Sequence, residues 1–462
     1  MIDRDDEHDW LRSHLTDEQR QVLVVYGRRR VGKTTLVASV LDDIEAPSVY
    51  YLCDQRGTAS NARRFAENCA DSFDDIPPSV DGFPDAFRYL TNRVDRPFVV
   101  ALDEFSYLVD ADEAVTSVFQ TVVDDVLDGT AISLVLLGSS ISMMEEGVLS
   151  YESPLYGRRT GQWRLEPMTV GQAAGFFPEY DAETMVQTYS VVGGIPAYLE
   201  QFAPDEDLLG NVENCVLSRG AFLYEEPEFL LRQELREPAT YMAILEAIAN
   251  GATRVTEIAN EIGRDASALS RYLSNLARLA LVERETPVTD PDGRGVYRLT
   301  DQFLRFWFRY VSPNRATLEQ GRTEPVRESI AETLPAHVSW TFEEVCQQAV
   351  RMPAFPAPCT RVGRWWDDEL EVDVAGVDEA SDTLLLGECK WTAETVGPEL
   401  LRELETLEAE VRWHGADRSV VYALFAKSGF DERLQSITAE RDDVRLFTVN
   451  DVLDLFDGPV SA

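Results

Sequence analysis

The segment QVLVVYGRRRVGKTTLVASVLDDI, residues 21–44, decides the fold. It opens as an apolar run with β-branched residues, passes through a basic, glycine-punctuated stretch, and ends in apolar residues at helical spacing. That order predicts a strand, a loop and a helix. The loop fits GxxxxGK[ST] with Gly27, Gly32, Lys33 and Thr34. Its glycines let the backbone amides of Arg28, Arg29, Arg30 and Val31 close around phosphate oxygens. Lys33 is expected to reach the β and γ phosphates and Thr34 to set its hydroxyl on Mg²⁺. Thr35 follows in the first turn of a helix whose positive N-terminal end faces the anion. ATP and Mg²⁺ are therefore the expected cofactors. A glycine turn that merely joins strand to helix would need no second motif.

RPFVVALDEFSYL, residues 96–108, is that second motif. Phe98 to Leu102 read as a buried strand that delivers Asp103 and Glu104 at its carboxyl end, where α/β proteins bind ligands. Asp103 is expected to hold Mg²⁺, and Glu104 to orient and polarise the attacking water. Phosphoryl transfer asks the protein mainly for positioning and charge stabilisation, so the pair implies hydrolysis as well as binding. The next strand, ISLVLLGSS, ends in Ser139 and Ser140; Ser139 either senses the γ phosphate or caps a turn. In SPLYGRRTGQWRL, Arg158 or Arg159 is either an arginine finger, in cis or in trans, or an ordinary surface arginine. A finger acting in trans would require a homo-oligomer.

Together with VVGGIPAYLEQF, residues 191–202, these pieces resemble the archaeal ATPase family within the AAA+ class of P-loop proteins, over roughly the first 235 residues. The resemblance implies a P-loop core over 1–165 and a helical lid over 166–235, in which Gly193, Gly194 and Pro196 are structural.

Composition narrows the setting. The chain of 462 residues is long enough for two to four domains. Its 82 acidic and 42 basic residues give a net charge of −40, yet 44% hydrophobic residues exclude simple disorder. Lysine occurs only at Lys33, Lys390 and Lys427. Such an acidic, lysine-poor composition looks like that of proteins from salt-in halophiles, where molar cations screen self-repulsion. The alternative, a nucleic-acid mimic or a binder of basic partners, is opposed by acids spread along the whole chain. Cys53, Cys69, Cys215, Cys346, Cys359 and Cys389 form no CxxC pair, and MIDRDDEHDW lacks a basic-then-apolar leader. No apolar run approaches the roughly 20 residues that cross a bilayer. A soluble, cytoplasmic protein with reduced thiols and no membrane partner is expected.

From Pro238, TYMAILEAIAN, VTEIANEIG and SALSRYLSNLARLALVERE read as three amphipathic helices, followed by a hairpin around Asp292 and Gly293. This predicts a winged helix over 236–315, closed by the aromatic-rich helix TDQFLRFWFRYVSPN, whose stripe reads as core. Arg264, Arg271 and Arg278 are left to contact DNA. Protein docking is the alternative, because Glu257, Glu261, Asp265, Glu283 and Glu285 dilute any basic patch and high salt weakens counterion release.

Hydrophobic periodicity lapses in ATLEQGRTEPVRES, so a boundary is expected near 316–326 and a last domain over 326–462. There VSWTFEEVCQQAV reads as helix, ELEVDVAGV and TLLLGECKW as strands, and ELLRELETLEAEVRWH as helix. Alternation puts Glu369, Glu371 and Asp373 on one face, and Glu388 and Lys390 on one face of the next strand. Paired as a hairpin, the strands bring Asp373, Glu388 and Lys390 together. Two carboxylates would suit a second Mg²⁺ or Mn²⁺, with Lys390 to orient or deprotonate water and Glu343 to assist. EVD followed by ECK resembles the PD-(D/E)xK restriction-endonuclease-like superfamily over roughly 330–450, a domain that occurs in part of the archaeal ATPase family. No Pro-Asp pair precedes the second strand. Charged solvent-facing strands or a degenerate nuclease fold are the alternatives. Three lysines scattered over 42 basic positions would fill both Lys33 and Lys390 about once in 300 trials. An ammonium at both sites, where guanidinium cannot act as a base, therefore points to phosphate chemistry. Lys427 gains no role.

The expected architecture is α/β: a P-loop AAA+ parallel-sheet domain with a helical lid, a winged helix and a C-terminal α/β restriction-endonuclease-like domain. The expected function is ATP hydrolysis that controls DNA binding or cleavage by the tail. A regulatory or scaffold ATPase with a protein-binding winged helix and an inactive tail is the alternative.

Overall fold

The computed structural model describes residues 3–367, 370–415 and 418–456. Glu369 lies outside the described residues. The chain divides into two compact units, one ending at Pro167 and the other starting at Met168.

The first unit is built on a sheet of β1 (Val22–Tyr26), β2 (Ser48–Leu52), β3 (Phe98–Asp103), β4 (Ile132–Gly138) and β5 (Gly161–Arg164), in the order β2-β3-β4-β1-β5. All neighbours are parallel. Strands of this kind are covered on both faces, which is why β1, β3 and β4 are buried at every position rather than alternately. Val22 and Val24 enter one core with the rings of Phe65, Phe83, Phe87, Phe105 and Phe119. Leu23 and Val25 enter the opposite core with Leu11, Leu15, Val37 and Val40. Because β1 lies between β4 and β5 while its successor β2 lies at the far edge, the chain reverses direction across the sheet. Such a reversal opens a crevice at the carboxyl ends of the strands.

The second unit begins with short helices that include Ala182–Val192 and Pro196–Leu199. A Cβ on Gly194 would stand 1.9 Å from the carbonyl oxygen of Met168, and the Met168 amide donates to Gly194 O at 2.7 Å, so this crossing needs glycine. Three helices follow, Pro238–Ala249, Val255–Ile262 and Ala266–Arg278, then the antiparallel pair β6 (Val282–Glu285) and β7 (Val296–Leu299). The third helix buries Leu269, Tyr272, Leu273 and Leu276. Phe303, Phe306, Trp307, Phe308 and Tyr310 are all buried, and Trp307 Nε1 donates to Tyr224 O at 2.9 Å. The aromatic stripe is core.

The helix expected to start near Val338 starts at Glu324 and runs 28 residues to Arg351, passing through Pro335. Pro325 occupies its first turn, where a missing N–H costs nothing. Val326 and Ile330 are buried, and His337, whose Nε2 meets Ser190 O at 2.9 Å, anchors the N-terminal half to the Ala182–Val192 helix. That packing outweighs the interior proline. The tail sheet joins β8 (Arg361–Trp366), β9 (Glu371–Asp378), β10 (Thr383–Lys390), β11 (Ser419–Ala426) and β12 (Val444–Thr448) in the order β12-β11-β10-β9-β8. β8, β9 and β10 are antiparallel neighbours, whereas β10, β11 and β12 are parallel. Among the described residues no helix is long and apolar enough to cross a membrane.

Candidate functional site

The first candidate site occupies the carboxyl ends of β1 and β3. Gly27 leaves β1 at φ 153°, and a Cβ there would stand 2.3 Å from Leu165 O. Only glycine fits between the two strands. Arg30 at φ 68° and Gly32 at φ 101° turn the loop back into the helix Lys33–Asp43. Arg29 Nη2 donates to the Tyr107 hydroxyl at 2.9 Å, Arg28 and Val31 are buried, and Thr34 and Thr35 are exposed on the first turn.

Lys33 is 5% exposed, and its Nζ donates to the carbonyl oxygens of Gly27 at 2.9 Å and Arg28 at 2.8 Å. Phosphate oxygens would compete with those carbonyls for the ammonium. Thr34 Oγ1 donates to Asp103 Oδ2 at 2.7 Å. Asp103 is buried, and its Oδ1 accepts the Glu104 amide at 2.7 Å. Glu104 has φ 53°, a left-handed backbone that costs a non-glycine residue about 1–2 kcal/mol. Its Oε2 accepts Ser139 Oγ at 2.5 Å and Ser106 Oγ at 3.4 Å. The Thr34 hydroxyl and the Asp103 carboxylate are the hard oxygen donors that Mg²⁺ prefers, so the residues fit the ion.

Two members of this cluster escape a reading of the sequence. The Tyr50 hydroxyl makes a very short hydrogen bond to Asp103 Oδ2, and Ser106 supports Glu104. Tyr50 pairs in register with Ala101, which puts it on the same face as Asp103, one step diagonally away. Burial first, then the Asp103 carboxylate, push its phenol well above the ordinary range and keep it a donor. The strand order that creates this contact is not a local property. Arg158 grips both oxygens of Asp124 through Nε, at 2.8 and 2.7 Å. Arg159 donates to Leu149 O at 3.2 Å and lies 4.7 Å from the Tyr156 ring centroid.

Residues 1–202 match the model of an ATPase domain predominantly from Archaea. Over 398 residues the chain is 34% identical to "Uncharacterized protein MJECL04" of Methanocaldococcus jannaschii, covering 85% of this chain and 87% of that one. The chain belongs to this archaeal ATPase family. The fold is also similar to that of the Walker-type ATPase PABY2304 of Pyrococcus abyssi, with TM-score 0.52 and 20% identity over 67% of this chain and 96% of that one. Within this family member, residues 241–286 match an IclR helix-turn-helix domain, and residues 307–412 match a domain described as archaeal and bacterial proteins of unknown function.

The arginines expected to face DNA are engaged within the helix-turn-helix itself. Arg271 Nη2 donates to the Tyr272 hydroxyl at 2.6 Å and to Glu237 at 3.3 Å. Arg264 donates to Thr240 Oγ1 at 3.1 Å, and Arg278 to Asn275 Oδ1 at 2.7 Å. Ser267, Ala268, Ser270, Arg271, Ser274 and Ala277 are the exposed positions of the third helix. Small side chains, rather than a dense basic stripe, cover that face.

In the tail, β9 and β10 pair from Thr383↔Asp378 to Gly387↔Val374. Just past the end of this ladder the Cys389 amide donates to Asp373 Oδ2 at 3.0 Å. Lys390 Nζ meets Glu388 Oε1 at 2.8 Å. Burial pushes Glu388 up to about 7, helped by the nearby Asp373 carboxylate and a hydrogen bond to it. Glu343 is likewise pushed up to about 7 by burial and by Asp373, but its Oε2 accepts Arg364 Nη2 at 2.6 Å. Lys390 is raised: burial acts against the ammonium, and Glu388 with Asp373 outweigh it. The tail thus draws Asp373, Glu388 and Lys390 together and commits Glu343 to Arg364. Among the described residues no three His, Cys, Asp or Glu side chains are arranged to hold a metal ion. Lys427 joins Glu183 at 2.9 Å, a tether from the end of β11 to the Ala182–Val192 helix.

Proposed function

We propose that the chain is a Mg²⁺-dependent ATPase whose nucleotide state governs how its helix-turn-helix and tail engage DNA. The observation that carries this reading is the pair of side-chain contacts Thr34–Asp103 and Ser139–Glu104, at 2.7 and 2.5 Å, at the ends of adjacent strands beside Lys33. Lys33 and the loop amides bind the phosphates. Thr34 and Asp103 would hold Mg²⁺, which supplies charge neutralisation on the β and γ oxygens. Glu104 orients water for in-line attack, and its left-handed backbone aims the carboxylate. Ser139 holds Glu104 at 2.5 Å, so any shift of that serine toward a γ phosphate would release or re-aim the glutamate. This is a positioning role.

For the tail, the Asp373 and Glu388 carboxylates lie close together, and this pair would hold a hard cation, with Lys390 beside it. Strand-breaking chemistry at that pair is the finer part of the proposal. A second reading, a regulatory ATPase with an inactive tail, is favoured by the capture of Glu343 by Arg364 and of Arg271 by Glu237. Supercoiled plasmid incubated in molar KCl with Mg²⁺ or Mn²⁺ distinguishes them. The wild type is expected to nick it, and Asp373→Asn and Lys390→Ala to lose at least about a hundredfold in rate, the scale of a lost metal ligand or acid-base group. Equal nicking by all three eliminates the nuclease and leaves the regulatory reading.

A further inference from the structure

A cavity of about 360 Å³ lies within the second unit, where the C-terminal end of the Pro238–Ala249 helix, strand β7, the aromatic segment after Gln302 and the helix Glu324–Arg351 meet. Its volume falls within the about 300–1,000 Å³ typical of small-molecule sites. Three arginines line it, Arg298, Arg305 and Arg309, together with Tyr297 and Trp340. In a chain of net charge −40 such a grouping is unexpected on composition alone.

The three arginines are not equivalent. Arg298 is committed, to Glu285 at 2.7 Å and Glu371 at 3.3 Å, and its guanidinium lies 5.5 Å from the Trp340 ring centroid. Arg305 makes a very short contact with Glu344 and donates to Leu299 O at 2.8 Å, yet its Nη1 has no hydrogen-bond partner. Arg309 is exposed at the same cavity and lies 5.4 Å from the Tyr310 ring centroid; no carboxylate pairs with it among the described residues. Trp340 is 46% exposed, so part of its indole is open to a ligand beside the Arg298 guanidinium.

Cations around an aromatic wall suit a ligand that carries both an anionic group and a flat ring. Guanidinium binds phosphate through paired N–H donors, and a half-exposed indole offers a stacking face. Ile248, Ala249, Leu299 and Trp340 make much of the lining apolar, so a bare inorganic anion would leave it uncovered. We propose that this cavity is a second nucleotide site, separate from the P-loop, that takes a nucleobase bearing a single phosphate. The phosphate meets Arg309, and the base lies against Trp340. The ligand is either a free mononucleotide or the terminal nucleotide of a strand, because both present the same chemistry. Its place beside β7 and the Pro238–Ala249 helix makes the helix-turn-helix the element that senses it.

The test uses the full chain in molar KCl, with the P-loop saturated by a non-hydrolysable ATP analogue and Mg²⁺. Calorimetric titration with AMP, with a 5′-phosphorylated dinucleotide and with orthophosphate reads the second site alone. AMP or the dinucleotide is expected to bind saturably at one per chain, and the tighter of the two identifies the source. Arg309→Glu and Trp340→Ala, both at exposed positions, are each expected to weaken that binding by about tenfold or more, the effect of losing one charged or stacking contact. Circular dichroism melts of the two variants establish that they fold. No saturable binding of AMP or dinucleotide, unchanged affinity in folded variants, or orthophosphate binding as tightly as AMP overturns the proposal.

Discussion

Glu104→Gln is expected to lower the steady-state rate of phosphate release by about 10²–10⁴-fold, the range that a lost general base costs, while ATP binding persists. Glutamine keeps the volume and can still accept Ser139 Oγ through its carbonyl oxygen, so the 2.5 Å tether and the loop around it survive. What it loses is the negative charge proposed to polarise water. The measurement pairs a phosphate-release assay with equilibrium binding of a fluorescent ATP analogue. Retained turnover would remove Glu104 from the role assigned to it. A loss of binding as large as the loss of turnover would show that Glu104 supports the nucleotide site rather than the chemical step.

The second large effect is structural. Arg364 is 2% exposed and faces Glu343 at 2.6 Å, Glu285 at 3.5 Å and Glu371 at 4.0 Å, while its carbonyl accepts the Val288 amide at 2.9 Å. The hairpin that follows the helix-turn-helix is thereby fastened to the tail sheet. Removing one partner of a buried ion pair leaves uncompensated charge, which costs about 3–5 kcal/mol. Arg364→Ala should therefore destabilise the chain by about that amount, measured by denaturant unfolding in molar KCl, because buried pairs escape most salt screening. Glu343→Gln added to Arg364→Ala should recover part of the loss, since it removes a carboxylate left without its counter-ion. An unchanged unfolding midpoint for Arg364→Ala would contradict the account of this cluster.

Much of this molecule is legible from local sequence, and the rest fails for identifiable reasons. The turn from β1 into the Lys33 helix and the exit of β3 at Asp103 and Glu104 depend on neighbouring residues alone. The three helices after Pro238 and the hairpin behind them follow from periodicity and turn chemistry. The approach of Asp373 to the Glu388 end of β10 needs only one antiparallel register. By contrast, Tyr50 reaches Asp103 through a strand order that no short stretch encodes. Arg364 assembles partners from β6, β9 and the helix through Glu343, elements far apart along the chain. The helix that starts at Glu324 hides behind Pro335, because a proline reads as a break unless the packing of Ile330 and His337 is known. Lys427, without a role in the sequence, proves to be an ion-pair partner of Glu183.

The measurement that bears most directly on the account is phosphate release from ATP by the wild-type chain in molar KCl, with Mg²⁺ and with excess EDTA, alongside Lys33→Ala. Turnover is expected to require Mg²⁺, to be abolished by Lys33→Ala, and to change when double-stranded DNA is added. Phosphate release no greater than that of Lys33→Ala, or equal release with and without Mg²⁺, would contradict it.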